Sequence, residues 1–342
     1  MNPNLTPGYQ RITVPATTPP TLLVVVDTEE EFDWNAPFDR RNDGVSAMAE
    51  CGRFQTVCDE FGIRPTWVVD HPVAAQPEGR RLLRRFLDEG RCTIGAHLHP
   101  WVSPPFSEEV CARNSYPGNL PAALEAEKLE SLFDVIEDGF GERPRVYKAG
   151  RYGLGPATAQ SLLELGIEVD LSLAPPFDLS GDGGPDYSEY DDAPFRFGPD
   201  GALLGLPTTG AFVGRAGSAR RGLYRFATRP LPMRLHAPGV LARLGLVERL
   251  RLTPEGHGLR DLIRLTSALH ARGTRVFSFS LHSPSMLPGC TPYVGNDDEL
   301  DAFLERCRRY FRFFLDEWNG VASTPLEVAR HLAALPPRRV QG

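Results

Sequence analysis

The segment Leu22-Leu23-Val24-Val25-Val26-Asp27-Thr28-Glu29 is the clearest indication of fold class in this 342-residue chain. Five apolar residues followed directly by an acid are typical of a parallel strand that is buried on both faces. Comparable runs recur downstream, separated by helical stretches, and we predict further strands at residues 64–69, 92–98, 145–149, 166–173 and 275–281. This alternation of strands and helices predicts an α/β fold with a parallel sheet.

Polar side chains collect at the carboxyl ends of the predicted strands. They are Asp27, Asp70, His97, Lys148, Asp170 and His282. An open doubly wound sheet would gather only those near its switch point, whereas a barrel gathers all such ends around one mouth. We therefore predict a (β/α) barrel of seven or eight strands, formed by residues 21–342 as a single domain. Residues 1–20 are expected to form a flexible N-terminal arm, and residues of about 177–255 an irregular insertion.

Composition and the absence of several motifs exclude other classes of protein. The hydrophobic fraction of 41% allows a large core, and the net charge of −7 argues against a nucleic-acid partner. The six cysteines are widely spaced without a Cys-x-x-Cys pair, which argues against a zinc ribbon or a disulfide scaffold. Neither a phosphate-binding loop nor a Gly-x-Ser-x-Gly elbow occurs. Without a signal-peptide pattern or a membrane-spanning apolar run, we expect a cytoplasmic protein.

Two pairs of polar residues are spaced so that both members face the same side of a strand. Asp27 and Glu29 are separated by one residue, as are His97 and His99. Two adjacent carboxylates ionise together at low cost only beside a cation, and two imidazoles on one face are a common start of a metal site. The pattern therefore points to a divalent metal, although Asp27 and Glu29 could instead cap the turn that follows the strand.

Four further residues are candidates for proton transfer and charge compensation. His282 ends the last predicted strand and suits a general acid, because imidazole exchanges protons near neutral pH. Asp170, at another strand end, is its candidate partner. Lys148 and Arg151 flank Gly150, and either could keep the Asp27 carboxylate ionised.

The segment 215–275 is strongly basic, with thirteen arginines against Glu248, Glu255 and Asp261. Such a surface could contact an anionic glycan, a lipid phosphate or the face of a membrane. The competing interpretation, which we favour, is a solvated insertion in an Arg-rich chain.

The order of these motifs resembles that of the polysaccharide deacetylases with NodB homology, a family of carbohydrate esterases with a distorted (β/α) barrel. The resemblance spans about residues 21–330 and rests on five segments: Asp27-Thr28-Glu29, Gly95-Ala96-His97-Leu98-His99, Tyr147-Lys148-Ala149-Gly150-Arg151-Tyr152-Gly153, Val169-Asp170-Leu171-Ser172 and Leu281-His282-Ser283. In the family, the first segment supplies an aspartate base and an acidic metal ligand, and the second supplies the metal-binding histidines. The third supplies a basic residue that steadies the base, and the fifth supplies the general acid. The fourth segment resembles the fourth family motif.

The chain departs from the usual family pattern at three positions. Thr28 separates two acids that are usually adjacent, so the roles of Asp27 and Glu29 could be exchanged. Trp101 occupies the usual place of the second histidine, so either His99 substitutes as ligand or the site uses one histidine and a water. Lys148 stands where arginine is commoner. The expected ligands are Glu29, His97 and His99, which suit Zn²⁺, with Co²⁺, Ni²⁺ or Mn²⁺ as substitutes.

The resemblance implies a metal-dependent hydrolase that removes N-acetyl groups from a sugar, a polysaccharide or a sugar-lipid. Two alternatives remain open. One is a non-catalytic module associated with glycan or membrane in a polysaccharide assembly pathway, and the other is hydrolysis of a non-sugar C–N bond, such as that of a cyclic ureide, on the same fold.

Overall fold

The computed structural model describes residues 5–334. The strands in this part of the chain are β1 (Gln10–Arg11), β2 (Thr21–Thr28), β3 (Thr66–Val69), β4 (Thr93–Leu98), β5 (Val146–Ala149), β6 (Val169–Asp170), β7 (Phe195–Phe197), β8 (Leu203–Gly205), β9 (Gly210–Val213), β10 (Glu248–Arg251), β11 (Val276–His282) and β12 (Val321–Ala322). The α-helices are α1 (Gly52–Asp59), α2 (His71–Ala75), α3 (Pro77–Asp88), α4 (Ala122–Phe140), α5 (Thr158–Glu164), α6 (Arg220–Ala227), α7 (Pro230–Arg234), α8 (Ala237–Arg243), α9 (Leu259–His270), α10 (Asp297–Arg312) and α11 (Pro325–Ala333). Within residues 5–334, no helix combines the length and apolar composition that a membrane span requires.

One curled sheet organises the molecule. Its strands lie in the order β1-β7-β8-β6-β5-β4-β3-β2-β11, and β12 also pairs with β2. The strands from β8 to β11 in this order, and β12, are parallel, whereas β7 and β1 run antiparallel to their neighbours. The sheet forms a half-barrel flanked by helices, which confirms the predicted distorted (β/α) barrel. The expected seven or eight strands correspond to its parallel part, and β7 and β1 extend the sheet beyond them.

Successive side chains along a strand point to opposite faces of the sheet, and they form an outer and an inner apolar layer. On β2, Leu22, Val24 and Val26 pack in the cluster shared with the helices, whereas Leu23 and Val25 belong to a second cluster inside the half-barrel. This inner cluster continues along the neighbouring strands and is joined by residues of α11: Val68, Val146, Val169, Leu171, Leu204, Leu206, Val276, Val328 and Leu332. The continuous apolar run of β2 is explained by burial on both faces.

The strand register places polar residues side by side at the carboxyl edge of the sheet. His282 on β11 is the partner of Asp27 on β2, and His97 on β4 is the partner of Lys148 on β5. Asp27 follows Leu23 and Val25 of the inner cluster at a spacing of two, and Lys148 follows Val146 in the same way. The mouth of the half-barrel is therefore polar above an apolar interior.

The segment 177–255, expected to be an irregular insertion, is partly built into the main sheet. Its strands β7 and β8 pair with each other, and β8 also pairs with β6. The antiparallel strands β9 and β10 form a separate two-stranded sheet, and α6, α7 and α8 lie between them in sequence. Strands of three or four residues are too short to produce a recognisable period in the sequence, which explains why they were not predicted.

The expected flexible arm also differs from the structure. Residues 1–4 lie outside the described residues, as do residues 335–342 at the end of the predicted domain. From residue 5 onward the segment lies against the sheet: Gln10 pairs with Arg196 of β7, and the Tyr9 ring stacks on Phe195 with centroids 4.8 Å apart. Leu5 is also buried in the outer cluster. Isolated apolar residues among prolines and threonines gave no periodic signal for this packing.

Replacing Tyr9 with alanine tests whether the N-terminal segment contributes to stability. We expect the Tyr9→Ala variant to lose about 2 kcal/mol of unfolding free energy, because a stacked aromatic ring and its buried area are removed. Urea denaturation of the full chain measures this loss. Thr17→Ala, at an exposed position of the same segment, should change the unfolding free energy by less than about 0.5 kcal/mol. Equal stability of the Tyr9→Ala variant and the parent would mean that the segment is loose in solution.

Candidate functional site

Three potential metal ligands converge at the mouth of the half-barrel. The Oε2 atom of Glu29 lies 3.6 Å from Nε2 of His97 and 3.5 Å from Nε2 of His99. The three ligand atoms are within 4.8 Å of one another, and all three side chains are buried. The spacing of two residues therefore brings His99, rather than Trp101, into the group with His97.

The remaining nitrogen of each imidazole is held so that Nε2 faces Glu29. His97 Nδ1 lies 2.8 Å from the main-chain oxygen of Lys148, which can only accept a hydrogen bond. His99 Nδ1 lies 2.8 Å from Oε2 of Glu30. With both Nδ1 atoms as donors, each Nε2 presents a lone pair, and this arrangement is the usual one for histidines that bind metal.

His99 is also fixed by packing from two sides. The Trp101 ring stacks on its imidazole with centroids 4.3 Å apart. On Gly150, a Cβ atom would clash with the main-chain oxygen of Leu98 and with Cδ2 of His99. A glycine is therefore required at this position if His99 is to keep its orientation.

Glu30 and Asp70 form a buried layer behind His99. The Glu30 amide donates to Asp70 Oδ2 at 2.7 Å, and Asp70 Oδ1 accepts from the Val73 amide as the N-cap of α2. Burial raises the pKa of Glu30 to about 7. No role was predicted for Glu30 from the sequence, although it directly follows Glu29.

The Glu29 carboxylate lacks enough partners for its charge. Burial raises its pKa well above the usual range, and the charges of Glu30 and Asp27 raise it further. Its Oε1 atom is buried and has no hydrogen-bond partner among residues 5–334. A divalent cation beside Glu29, His97 and His99 would compensate this charge, and the carboxylate and imidazole donors fit Zn²⁺.

Asp27 is paired with Lys148 and not with Arg151. Both carboxylate oxygens of Asp27 lie 2.6 Å from Nζ of Lys148. Burial alone would raise the pKa of Asp27, but the charges of Lys148, His97 and His282 and the Lys148 hydrogen bond together outweigh it and hold the pKa at about 2. Arg151 instead binds Asp182 and donates to Ser115 Oγ at 2.7 Å.

His282 is paired with Glu255, for which no role was predicted from the sequence. Its Nδ1 atom lies 2.7 Å from Oε2 of Glu255, whose Oε1 accepts from the His282 amide at 3.0 Å and from Ser285 Oγ at 2.7 Å. Its Nε2 atom lies 3.5 Å from Oδ2 of Asp27. The available signal for Glu255 in the sequence was its position as an acid within the basic segment 215–275.

The expected partnership between Asp170 and His282 is wrong. Val169 and Leu171 belong to the inner cluster, so Asp170 between them is directed to the opposite face of the sheet. Its carboxylate accepts hydrogen bonds from the amide and the hydroxyl of Ser172. Burial raises the pKa of Asp170 to about 7.

The two charge pairs and the three potential ligands open into one cavity of about 580 Å³. Its walls are mostly aromatic and basic: Phe32, Trp34, Phe38, Tyr116, Tyr152, Phe177, Tyr293, Arg151, Arg249 and Arg251. Aromatic faces and polar groups around a volume of this size are suited to a sugar-sized ligand.

A double-mutant cycle tests the Asp27–Lys148 pair. Replacing Lys148 with methionine should cost about 3–5 kcal/mol of unfolding free energy, because Asp27 is left buried without its partner. Adding Asp27→Asn to Lys148→Met should recover much of this loss in urea denaturation. The exposed pair Arg145–Glu168 is the matched control, and its coupling energy should be below about 1 kcal/mol. Strictly additive effects of the Asp27 and Lys148 substitutions would contradict the pairing.

Solved structures of other proteins have a similar fold. No family model matches the chain, and no curated protein matches its sequence. A protein from Mycobacterium smegmatis assigned as a polysaccharide deacetylase is similar in structure, with a TM-score of 0.54 and 16% identity over 97% of both chains. A second, from Pseudomonas aeruginosa PAO1, has a TM-score of 0.52 and 16% identity over 93% of this chain and 92% of that chain. The Puue allantoinase has a TM-score of 0.54 and 18% identity over 93% of this chain and 92% of that chain. The chain therefore has the fold of the polysaccharide deacetylases, as its sequence motifs predicted.

Proposed function

We propose that this protein is a metal-dependent hydrolase that removes N-acetyl groups from a sugar, a polysaccharide or a sugar-lipid. The observation that carries the proposal is the convergence of three potential ligands, Glu29, His97 and His99, with two separate charge pairs in one cavity. The fold shared with two proteins assigned as polysaccharide deacetylases supports it. Zn²⁺ is the metal that the donor set suits best, with Co²⁺, Ni²⁺ or Mn²⁺ as substitutes.

The two charge pairs provide the base and the acid that amide hydrolysis requires. A divalent cation held by Glu29, His97 and His99 would polarise the amide carbonyl and increase the acidity of water. Asp27, kept ionised by Lys148, accepts the proton of the attacking water. His282 gives a proton to the departing amine from Nε2, because its Nδ1 atom is occupied by Glu255.

In this proposal the other two residues that the sequence singled out, Arg151 and Asp170, have different roles. Arg151 lines the cavity wall and is therefore available to contact substrate. It does not hold Asp27, because its charge is compensated by Asp182. Asp170 faces away from the cavity and takes no part in proton transfer.

Separate substitutions should distinguish metal binding from proton transfer. His282→Ala should lower kcat for acetate release by about 10²–10⁴-fold while the zinc content of the purified protein stays near one per chain. His97→Ala should lose zinc itself, because one of three ligands is removed. Acetate release from N-acetylated sugars and metal analysis of the same samples measure both effects.

Two results would overturn the assignment. A parent protein that stays metal-free after incubation with Zn²⁺ would contradict the metal centre. Nearly full activity of His282→Ala would contradict its role as the acid even if zinc is bound.

Hydrolysis of a cyclic ureide is a second candidate function, and the similarity to the Puue allantoinase favours it. That structure matches this chain as well as the two deacetylases do. The same base, acid and metal ligands could act on either kind of C–N bond. Parallel assays of ureide opening and acetate release distinguish the two.

The basic segment 215–275 supports a third candidate, contact with an anionic surface. Six large apolar side chains are exposed within it: Phe226, Leu231, Met233, Leu235, Val240 and Leu244. They lie on or beside α6, α7 and α8, among several arginines. Exposed apolar groups next to cations suit the surface of an anionic membrane.

Vesicle binding tests this third candidate. We expect the protein to sediment with phosphatidylglycerol vesicles at low salt. Leu231→Asp should weaken this binding because it removes an apolar contact, and Arg234→Gln should weaken it because it removes a positive charge. Neutral phosphatidylcholine vesicles are the control. Equal binding to both vesicle types, or to neither, would contradict the anionic contact. Vesicle binding that survives Asp27→Asn in a protein that releases no acetate would favour the non-catalytic alternative.

A further inference from the structure

Two arginines that line the cavity have no acidic partner in the described part of the chain. Arg249 and Arg251 are half-buried, and among residues 5–334 no carboxylate oxygen lies within 4.0 Å of either guanidinium. Asp178 influences the charge of Arg249 only from beyond ion-pair distance. Nearby arginines are paired: Arg264 binds Glu248, and Arg151 binds Asp182. Two adjacent, partly buried and unpaired cations are therefore a distinct feature of this cavity.

Both guanidinium groups contact the same aromatic ring, that of Phe177. The Arg249 guanidinium lies 4.0 Å from the centroid of the Phe177 ring, and that of Arg251 lies 5.0 Å from the same centroid. Arg251 also donates a hydrogen bond to the hydroxyl of Tyr152. Stacking on a ring uses the face of a guanidinium and leaves N–H donors at its edge for a ligand.

The two positive charges are close enough to need compensation. Burial lowers the pKa of Arg249, and the charge of Arg251 lowers it further. An anion bound between the two groups would relieve both effects. Guanidinium groups bind phosphate and carboxylate oxygens through paired hydrogen bonds, so these are the ligands that suit the pair.

One continuous wall connects the arginines to the proton-transfer groups. Residues 249, 251, 253 and 255 alternate along β10 and the segment that follows it, and all four line the cavity. The last of them is Glu255, which holds His282. The Tyr152 ring provides a second link, because Lys148 and Arg251 lie 5.2 and 5.3 Å from its centroid. A single ligand in the cavity can therefore contact both ends of this wall.

We propose that Arg249 and Arg251 bind an anionic substituent, a phosphate or a carboxylate, on the substrate whose acyl group is removed at the Glu29–His97–His99 centre. The proposal rests on the proposed function and narrows its substrate class to acidic or phosphorylated sugars. The buried carboxylates around Glu29 repel an anion, whereas the arginines attract it. The charge distribution therefore orients the substrate as well as holding it.

Binding of sugars that carry no acyl group tests the arginine pair independently of catalysis. The zinc-loaded full chain is titrated with glucose, glucose 1-phosphate, glucose 6-phosphate and glucuronic acid in a calorimeter. We expect at least one anionic sugar to bind about tenfold or more tightly than glucose, because it forms charge-assisted hydrogen bonds. A phosphate sugar that binds best indicates a phosphorylated substrate, and glucuronic acid that binds best indicates an acidic sugar.

Variants identify where the anion binds. In Arg249→Gln and in Arg251→Gln, the ratio of the affinity for the anionic sugar to the affinity for glucose should fall toward one. The Arg249 side chain makes no hydrogen bond among the described residues, so Arg249→Gln keeps the test valid if loss of the Tyr152 contact impairs folding of Arg251→Gln. Arg243→Gln, an exposed arginine of α8 outside the cavity, is the matched control and should keep the full preference.

The outcomes separate this proposal from the proposed function. No preference in the parent protein, or a preference that persists in both cavity variants, would overturn the anion site. A preference that disappears in the variants supports the site, even if no N-acetylated sugar releases acetate and the proposed function fails. Acetate release without any anionic preference would leave the proposed function in place and reject the anion site.

Discussion

Burial of negative charge at the mouth of the half-barrel is the constraint on which the candidate site depends. The carboxylates of Asp27, Glu29, Glu30, Asp70 and Glu255 are all buried there. A carboxylate is removed from water at a cost of several kcal/mol unless cations or hydrogen-bond donors replace the solvent. The arrangement of the surrounding side chains follows from how each of these charges is compensated.

Each carboxylate has a different means of compensation, and this difference separates their roles. Asp27 has the Lys148 ammonium, and Glu255 has His282 and Ser285. The other acids rely on main-chain amides and imidazole. Among the described residues, Glu29 and Glu30 each keep a buried oxygen without a hydrogen-bond partner, and of these two Glu29 is the one that faces the Nε2 atoms of both His97 and His99. The same physical requirement thus yields an ionised base, an oriented histidine and a place for a cation.

The fold supplies this arrangement through two properties of parallel strands. Alternation places every second side chain inside the half-barrel, and the register aligns the carboxyl ends of neighbouring strands. Inside, the lower positions are apolar and pack against α11, so the acids are restricted to the open end. The arginines of β10 then form a basic part of the same cavity, supplied by a separate sheet that is not part of the half-barrel.

The sequence by itself determined the features that depend on local spacing. The run from Leu22 to Val26 predicted a buried parallel strand, and the i, i+2 pairs predicted that Asp27 and Glu29, and also His97 and His99, lie together. These predictions depend only on strand geometry within a few residues. The choice of Lys148 over Arg151 for Asp27 was left open, because it depends on the strand register between β2, β4 and β5.

Only the tertiary structure decided which distant groups meet. Asp170 and His282 both end strands, but the face toward which Asp170 points depends on which side of β6 is enclosed. The sequence of β6 does not alternate between apolar and polar residues, so it does not indicate the enclosed side. Glu255 lies in a segment without a recognisable period, yet the path of the chain after β10 brings it to His282. Pairings between residues far apart in sequence are set by the packing of the whole sheet, whereas the orientation of neighbours along one strand is set by the backbone itself.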